Sequence, residues 1–359
     1  MQIPLFATSL EPHWARIEER LSAVARSRQY ILGPELAAFE DEFAAYLGVD
    51  HAIGVGNGTD AITIALRALG VKPGDEVVCP SFTFYASAEA IVNAGARPVF
   101  CDVDADTLCM TAETVRPHLS DRTGAILAVH LCGNVAPVPE LRALGVPVLE
   151  DAAQAAGGSL GGVKAGALGD AATFSFFPSK NLPCLGDGGA ITTRSAEVAE
   201  RARVLRFHGS TDKRTHTEVG YNSRLDSIQA AVLRVLLPEL DGWTRRRQEV
   251  ASAYERAGIG ELVSLPVPSV GAEHAYHLYV VRADEPDSLA QALADAGVQA
   301  RGYYRTPMHR QPAMAPFRGA ELPVTEEVAT TNLALPMGPE LTSGQVEAVV
   351  GAAAARTPA

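Results

Sequence analysis

The stretch HAIGVGNGTDAITIALRALGVKPGDEVVCP, residues 51–80, contains two short, mainly apolar runs separated by a longer segment. The runs at residues 51–56 and 75–80 lack a regular alternation of apolar and polar residues, which is typical of strands covered on both faces. The residues between them, 60–69, have the length and the apolar spacing of a helix. The stretch therefore predicts two parallel strands joined by a helix.

The same alternation of short apolar runs and helical segments continues to residue 193. Two helices, residues 10–29 and 34–47, precede the first strand. Later strands are predicted at RPVFCDV, AILAVHL, VPVLED, AATFSF and GAITT, with helices at 83–93, 111–118 and 139–144 between them. The fold class predicted from this order is a three-layer α/β/α sandwich around a mostly parallel sheet.

The pattern changes in the last third of the chain. Residues 196–258 are predicted to be helical, and Pro266 follows them. Beyond it come a strand YHLYVVR at 276–282, a helix at 288–296, a strand VQARGYY at 298–304 and a last helix at 343–355. We therefore predict a large domain over residues 1–245 and a smaller α+β domain over residues 246–359.

Composition and charge narrow the class of protein. A content of 47% hydrophobic and 20% charged residues excludes a disordered chain. The net charge of −12 and the lack of a Lys/Arg-rich run argue against a nucleic-acid or membrane-surface partner. An anionic small molecule would need a local group of cations, for which Arg301, Arg305 and His309 are the candidates.

Cysteines and apolar runs indicate the compartment. The five cysteines are odd in number and lack CxxC spacing, which argues against a disulfide framework and a zinc site, so no metal is expected. The opening MQIPLFATSLEPHW has no basic and apolar leader pattern, and no apolar run approaches the length of a membrane span. We therefore expect a cytoplasmic protein.

A turn between the first strand and its helix is a candidate phosphate site. Gly56-Asn57-Gly58-Thr59 leads directly into the helix, so free backbone N–H groups, a hydroxyl and the positive helix end lie together. The spacing fits neither a dinucleotide fingerprint nor a P-loop. An ordinary capped turn is the alternative.

Acidic residues end the strand VPVLED. Asp151 would lie at the carboxyl end of a parallel strand, where α/β folds bind ligands, and Gln154 would lie on the same side of the next turn. A carboxylate there can hold a proton on a pyridine nitrogen. Alternatively, Asp151 only caps the following helix.

A single lysine lies in FSFFPSKNLPCLGDGGAITT, residues 174–193, between aromatic residues and a glycine-rich turn. Desolvation in such a loop would lower the pKa of Lys180 and make its amine a nucleophile for an aldehyde, whereas most loop lysines are simply solvated. The order of the three parts favours the first interpretation. A phosphate turn, an aspartate ending a strand and then a lysine are what a pyridoxal phosphate (PLP) site requires.

Nine blocks follow one another along nearly the whole chain: ILGPELAAFEDEFAAYLG, GNGTDAI, PSFTFYASAEAI, AVHLCG, LEDAAQAAGG, FSFFPSKN, GDGGAITT, GYNSRLDSIQAAVL and RGYYRTPMHRQPA. In these blocks and in their order, the chain resembles the DegT/DnrJ/EryC1/StrS family of PLP-dependent sugar aminotransferases, which have the fold type I architecture of aspartate aminotransferase.

The resemblance implies a role for each cofactor-binding residue. Lys180 would form the Schiff base, Asp151 would pair with the pyridine nitrogen and Gln154 would donate to the phenolic oxygen. The phosphate would be held by Gly58, Thr59 and Ser175, the ring would stack on Phe84, and Asn222 would reach the phosphate of the neighbouring subunit. This last role implies a homodimer with shared sites. Phe84 as a core residue and Ser175 as a turn cap are the alternatives.

The resemblance also implies the reaction. L-glutamate would convert PLP to pyridoxamine phosphate, which would then aminate a keto group of a nucleotide-linked sugar. Arg224 would receive the donor carboxylate or would only pair with Asp226, and the sugar nucleotide would lie near Tyr303, Tyr304, Arg305 and His309 unless these form a solvated loop. Asn181 after the lysine is more typical of members that act at C3 than of those that act at C4.

Other classes of protein remain as alternatives. A sugar dehydratase of the same family would carry histidine in place of Lys180. A regulator with the same fold would leave the retention of Asp151, Gln154 and Asn222 unexplained. A nicotinamide oxidoreductase lacks its dinucleotide fingerprint here. The nucleotide, the stereochemistry and the pathway do not follow from the sequence.

Overall fold

A computed structural model of the protein describes residues 2–319 and 321–355. The α-helices are α1 (Trp14–Ser27), α2 (Pro34–Leu47), α3 (Gly58–Ala68), α4 (Tyr85–Asn93), α5 (Ala112–Val115), α6 (Val138–Arg142), α7 (Ala196–Arg206), α8 (Ser227–Leu236), α9 (Leu240–Arg256), α10 (Pro286–Asp295), α11 (Pro323–Thr331) and α12 (Ser343–Ala354). The strands are β1 (His51–Val55), β2 (Glu76–Pro80), β3 (Arg97–Cys101), β4 (Thr123–Val129), β5 (Val148–Asp151), β6 (Ser159–Leu160), β7 (Val163–Lys164), β8 (Ala171–Ser175), β9 (Gly189–Thr193), β10 (Ala272–Glu273), β11 (Tyr279–Arg282) and β12 (Asn332–Leu335).

A seven-stranded sheet in the order β1-β9-β8-β5-β4-β2-β3 forms the centre of the molecule. Neighbouring strands from β8 to β3 run parallel, whereas β9 runs antiparallel to both β1 and β8. The predicted mostly parallel sheet is therefore confirmed. Because the strands from β8 to β3 point the same way, the loops at their carboxyl ends meet at one edge.

Helices cover both faces of this sheet. Ile53 and Leu149 pack into one apolar cluster with residues of α3, while Ala52 and Phe174 pack into a second cluster with residues of α2 and α8. Alternate residues of a strand thus enter opposite layers, which explains why the strands are apolar almost throughout. The three-layer sandwich predicted from the sequence is confirmed.

Helix α2 shows how local chemistry sets an element's bounds. Pro34 occupies the first helical position, where its missing N–H costs no hydrogen bond. Gly48 ends the helix with φ 71°, a left-handed conformation that glycine adopts without strain.

No helix within residues 2–319 and 321–355 combines the length and the apolarity needed to cross a membrane.

The prediction of helix over residues 196–258 is wrong for residues 207–226, which form a loop between α7 and α8. Gly209, with φ 72°, and Gly220 allow two backbone segments to pass so closely that a Cβ at either position would overlap the other segment. His208 and Lys213 also have positive φ. Helical periodicity in the flanking segments does not reveal this close crossing.

A two-stranded antiparallel sheet of β11 and β12 lies in the C-terminal part of the chain. The predicted strand at 298–304 is wrong: only Val298 and Arg301 form single bridges there, and Tyr304 has φ 55°. Helix α11 and strand β12 were not predicted from the sequence pattern. Ile3 forms a single bridge with Val298, so residues near the start of the chain pair with the C-terminal part. The division into domains at residue 245 stays a prediction.

Candidate active site

A cavity of about 420 Å³ opens at the carboxyl ends of the parallel strands. Residues from the large sheet and from the C-terminal segment line it together, which is the usual place for a ligand in an α/β fold. Its wall includes Gly58, Phe84, Asp151, Lys180, Arg301 and Tyr304.

The turn before α3 forms one end of the cavity. The Asn57 side chain accepts a hydrogen bond from the N–H of Asp60 at 2.8 Å and so caps the helix. The first N–H groups of a helix have no partner within it, so those of Gly58 and Thr59 are available to an anion. A Cβ on Gly58 would lie 2.8 Å from the Cβ of Ser175, hence only glycine allows β8 to approach the helix start so closely.

Asp151 ends β5 with its carboxylate facing the cavity. It is 6% exposed and accepts a hydrogen bond from the Ser87 hydroxyl at 2.8 Å and one from the N–H of Ala153 at 3.2 Å. Ser87 is in turn within 3.1 Å of the Thr83 hydroxyl. Two donors leave the carboxylate free to accept a further hydrogen bond from a ligand.

Gln154 is oriented by a partner on each end of its amide. Its Oε1 accepts from the N–H of Cys132 at 2.8 Å, and its Nε2 donates to the hydroxyl of Tyr304 at 2.9 Å. Cys132 and Tyr304 both have a left-handed backbone, with φ 59° and 55°. The Cys132 N–H can only donate, so it fixes which end of the amide faces the cavity.

Lys180 lies beyond β8 on the cavity wall, with its side chain partly exposed. Desolvation lowers the pKa of its amine to about 8, although the negative charge of Asp151 opposes that shift. Within residues 2–319 and 321–355, its Nζ has no hydrogen bond or ion pair. The amine is therefore a nucleophile that neutralises near physiological pH.

Glu150, the residue before Asp151, faces the opposite side of the strand and is fully buried. Its carboxylate accepts from the N–H groups of Gly166, Leu168 and Gly169 at 2.7–2.8 Å and lies 2.8 Å from Nε2 of His130. Nδ1 of His130 accepts from a backbone N–H, that of Ala136, so its Nε2 carries the proton and donates. This network fixes the loop that presents Cys132.

Aromatic residues line the open side of the cavity. Phe84 is 57% exposed, so it is not a core residue, and its ring centroid lies 6.4 Å from that of Tyr304. Tyr303 packs against Tyr304, and the guanidinium of Arg301 lies 5.4 Å from the centre of the Tyr303 ring. An aromatic ring of a ligand therefore has an exposed partner in Phe84.

Two predicted substrate residues lie away from the cavity. Arg305 donates to the carbonyl of Thr330 and pairs with Asp287 at 3.0 Å. His309 is buried and bonds to Ser81 through Nδ1 and to Glu326 through Nε2. In this structure both side chains are therefore held outside the cavity by their partners.

The remaining predicted residues lie outside the cavity of a single chain. Asn222 is exposed and pairs through its backbone with Phe207. Arg224 lies over the ring of Phe207 at 5.9 Å, and within the described ranges no ion pair joins it to Asp226. Asn181 is buried and donates to two backbone carbonyls, so its side chain points into the core.

The sequence reasoning missed several residues of the site. Ser87 and Cys132 hold Asp151 and Gln154, and His277 lines the cavity, buried, with Nδ1 unpartnered. Burial lowers the pKa of His277, so its ring is neutral. No local pattern identifies these residues, because each reaches the site from a separate segment of the chain.

The backbone and side-chain groups that line the cavity fit PLP. Gly58, Thr59 and Ser175 offer donors to a phosphate, and Asp151 retains acceptor capacity for a protonated ring nitrogen. Lys180 supplies an amine with a lowered pKa on the same wall. These are the three chemically distinct contacts that the cofactor requires.

Comparisons with known proteins agree with this geometry. A model of the DegT/DnrJ/EryC1/StrS aminotransferase family matches residues 13–354. The dTDP-3-amino-3,4,6-trideoxy-alpha-D-glucose transaminase of Streptomyces venezuelae is 43% identical over 94% of this chain and 91% of its own. The pleiotropic regulatory protein of Geobacillus stearothermophilus is 43% identical over 98% and 97% of the two chains.

A solved structure of an aminotransferase has the same fold as this chain. S. venezuelae DesV in complex with a ketimine intermediate superposes with a TM-score of 0.95 at 41% identity, covering 98% of this chain and 97% of its own. The predictions of fold type I, of an aminotransferase and of PLP as cofactor are confirmed. The chain belongs to the DegT/DnrJ/EryC1/StrS aminotransferase family.

Proposed function

We propose that this aminotransferase moves an amino group from L-glutamate to the C3 keto group of a nucleotide-linked sugar in two alternating half-reactions. The observation that carries the proposal is the position of Lys180 on the same cavity wall as Asp151. Desolvation lowers the pKa of its amine there to about 8. An amine of that pKa both captures an aldehyde and exchanges protons near neutral pH.

The side chains around Lys180 would hold the cofactor. Asp151 would accept from the ring nitrogen and Gln154 would donate to the phenolic oxygen. Phe84 would cover the ring, and the start of α3 and Ser175 would hold the phosphate. When bound, PLP withdraws electrons from the carbon that loses its proton.

The protein itself would supply proton transfer and exclude water. With the cofactor bound, the Lys180 amine would accept the proton from the α-carbon of the substrate and would then donate it again. A neutral amine is the base and its ammonium is the acid, so a pKa of about 8 serves both steps. Phe84 and Tyr304 cover the site with apolar rings.

Amination at C3 of a nucleotide-linked sugar is supported by the transaminase relative, whose name specifies a dTDP-linked 3-amino sugar. Asn181 agrees with this assignment only through the family resemblance, because its side chain lies in the core. Action at C4 is the alternative within the family. The relative with a regulatory name favours a second candidate, a regulator without catalytic activity. Such a regulator would not need the side chains of Lys180 and Asp151.

We also infer a homodimer with shared sites. Asn222 is exposed and lies outside the cavity of its own chain, as a residue that serves a partner's phosphate would. Phe84 and Phe177 are 57% and 51% exposed at the cavity, so a second subunit would cover apolar surface there.

The proposal is tested with Lys180→Ala and Lys180→Arg. Both variants should lose the absorbance of the covalently bound cofactor and all turnover. Alanine has no amine, and arginine keeps a positive charge but is not a nucleophile. Product is followed with L-glutamate and a panel of 3-keto and 4-keto sugars linked to dTDP, UDP or GDP. A fully active Lys180→Ala enzyme contradicts the mechanism, and amination of only 4-keto sugars contradicts the choice of C3.

A further inference from the structure

One cation on the cavity wall has no part in holding the cofactor. Among the described residues that line the cavity, the positively charged side chains are Lys180 and Arg301. Lys180 is the cofactor's anchor in the proposed function. Arg301 is therefore the cation that the cavity wall of one chain leaves for the substrates.

Arg301 is held in place without being neutralised. Its backbone N–H donates to the carbonyl of Ala334 at 3.1 Å, and its carbonyl accepts from the N–H of Ala334 at 2.8 Å. Ala334 belongs to the buried strand β12, so the start of the side chain is fixed. The guanidinium then lies over the ring of Tyr303, 5.4 Å from its centre, which orients the planar group through a cation–π contact.

Two neighbouring arginines show the contrast. Arg305 pairs with Asp287 at 3.0 Å, and Arg310 pairs with Glu326. For Arg301, no acidic partner lies within ion-pair distance in residues 2–319 and 321–355. A protein with a net charge of −12 thus leaves one guanidinium unpaired at its substrate cavity.

We propose that Arg301 binds a pair of anionic oxygens on the substrates, either a carboxylate of the amino donor or the diphosphate of the sugar nucleotide. This inference rests on the proposed function, because both of its substrates carry such groups. A guanidinium presents two parallel N–H donors, which match the geometry of both. The acidic side chains of the cavity wall, Asp151 and Asp187, would repel an anion, so Arg301 sets where it lies.

Calorimetric titration of the PLP-loaded enzyme tests the assignment. The variants are Arg301→Gln and Arg301→Lys, with Arg305→Gln as the matched control. The titrants are dTDP, UDP and GDP for the diphosphate and 2-oxoglutarate for the carboxylates, and none of them is turned over alone. Circular dichroism checks that each variant is folded.

Arg301→Gln should weaken binding of one class of titrant by roughly tenfold to a hundredfold, since a charged hydrogen bond is lost. Arg301→Lys should retain part of the affinity, because it keeps the positive charge but lacks the two parallel N–H donors of the guanidinium. Arg305→Gln should bind the titrants like the wild type. Weakening of the nucleotides assigns Arg301 to the diphosphate, and weakening of 2-oxoglutarate assigns it to the donor.

Equal affinity of Arg301→Gln and the wild type for every titrant overturns the assignment. So does an equal loss in Arg301→Gln and Arg305→Gln, which would reflect only the overall charge. If the wild type nevertheless aminates a keto sugar, the proposed function stands without this role for Arg301. A wild type that binds no titrant and aminates no sugar overturns both.

Discussion

Glu150 and Asp151 are adjacent acids in one strand, yet they lie in different surroundings. Glu150 is fully buried, and four groups among the described residues donate to its carboxylate. Asp151 faces the cavity and has two donors, the Ser87 hydroxyl and the N–H of Ala153. A buried carboxylate that is fully satisfied stabilises the fold, whereas one with spare acceptor capacity at a cavity is available to a ligand.

The largest effect is expected from Asp151→Asn. Catalytic rate should fall about a thousandfold, because a neutral amide no longer holds the proton on the cofactor's ring nitrogen. The free energy of unfolding should change by less than about 1 kcal/mol, since the amide oxygen can still accept from the N–H of Ala153 while the amide NH₂ donates to the Ser87 hydroxyl, which can also act as an acceptor. Initial rates measure the loss of catalysis, and urea unfolding measures the free energy of unfolding. A large loss of stability with little loss of rate would reverse the roles of the two acids.

Glu150→Gln should have the opposite profile. The amide would bring its NH₂ against a backbone N–H in a buried site, which should lower the free energy of unfolding by about 2–4 kcal/mol. The rate per folded molecule should stay within a few fold of the wild type. Urea unfolding at a fixed PLP concentration provides the measurement. Unchanged stability would mean that this network does not stabilise the fold.

The smallest effect concerns the pH dependence of cofactor capture. Only the neutral Lys180 amine attacks, so the rate at which the apo-enzyme binds PLP should rise about tenfold per pH unit below about pH 8 and level off above it. The charge of Asp151 raises the pKa of Lys180, so Asp151→Asn should move the midpoint to lower pH by about half a unit or more.

Glu150→Gln is the control for that shift, because its side chain faces the other side of the sheet. Its midpoint should match the wild type. Absorbance of the bound cofactor after mixing gives the rate at each pH. Equal midpoints in the wild type and Asp151→Asn would contradict an electrostatic link between Asp151 and Lys180.

The sequence predicts the large sheet and the residues at its strand ends well. Asp151 and Lys180 follow apolar runs whose order fixes where the carboxyl ends meet, so the sequence alone places both in a common site. Gln154 and Gly58 follow from the same reasoning. The central contacts of the candidate site are thus encoded locally, next to strands that are easy to recognise.

The segment 298–310 could not be predicted in this way. Arg305 and His309 turn away because their partners, Asp287 and Glu326, come from other elements that local spacing does not reveal. The left-handed backbone of Tyr304, which brings its hydroxyl to Gln154, likewise depends on tertiary contacts.

The pairing of Ile3 with the C-terminal segment has a consequence for how the enzyme is made. The N–H of Ile3 donates to the carbonyl of Gly297, Leu5 bonds to Gln299 across a sequence separation of 294, and Phe6 lines the cavity. During synthesis the early segment must wait until residue 299 has emerged from the ribosome. Contacts of such high separation form slowly, so this wall of the cavity is completed after the central sheet has folded.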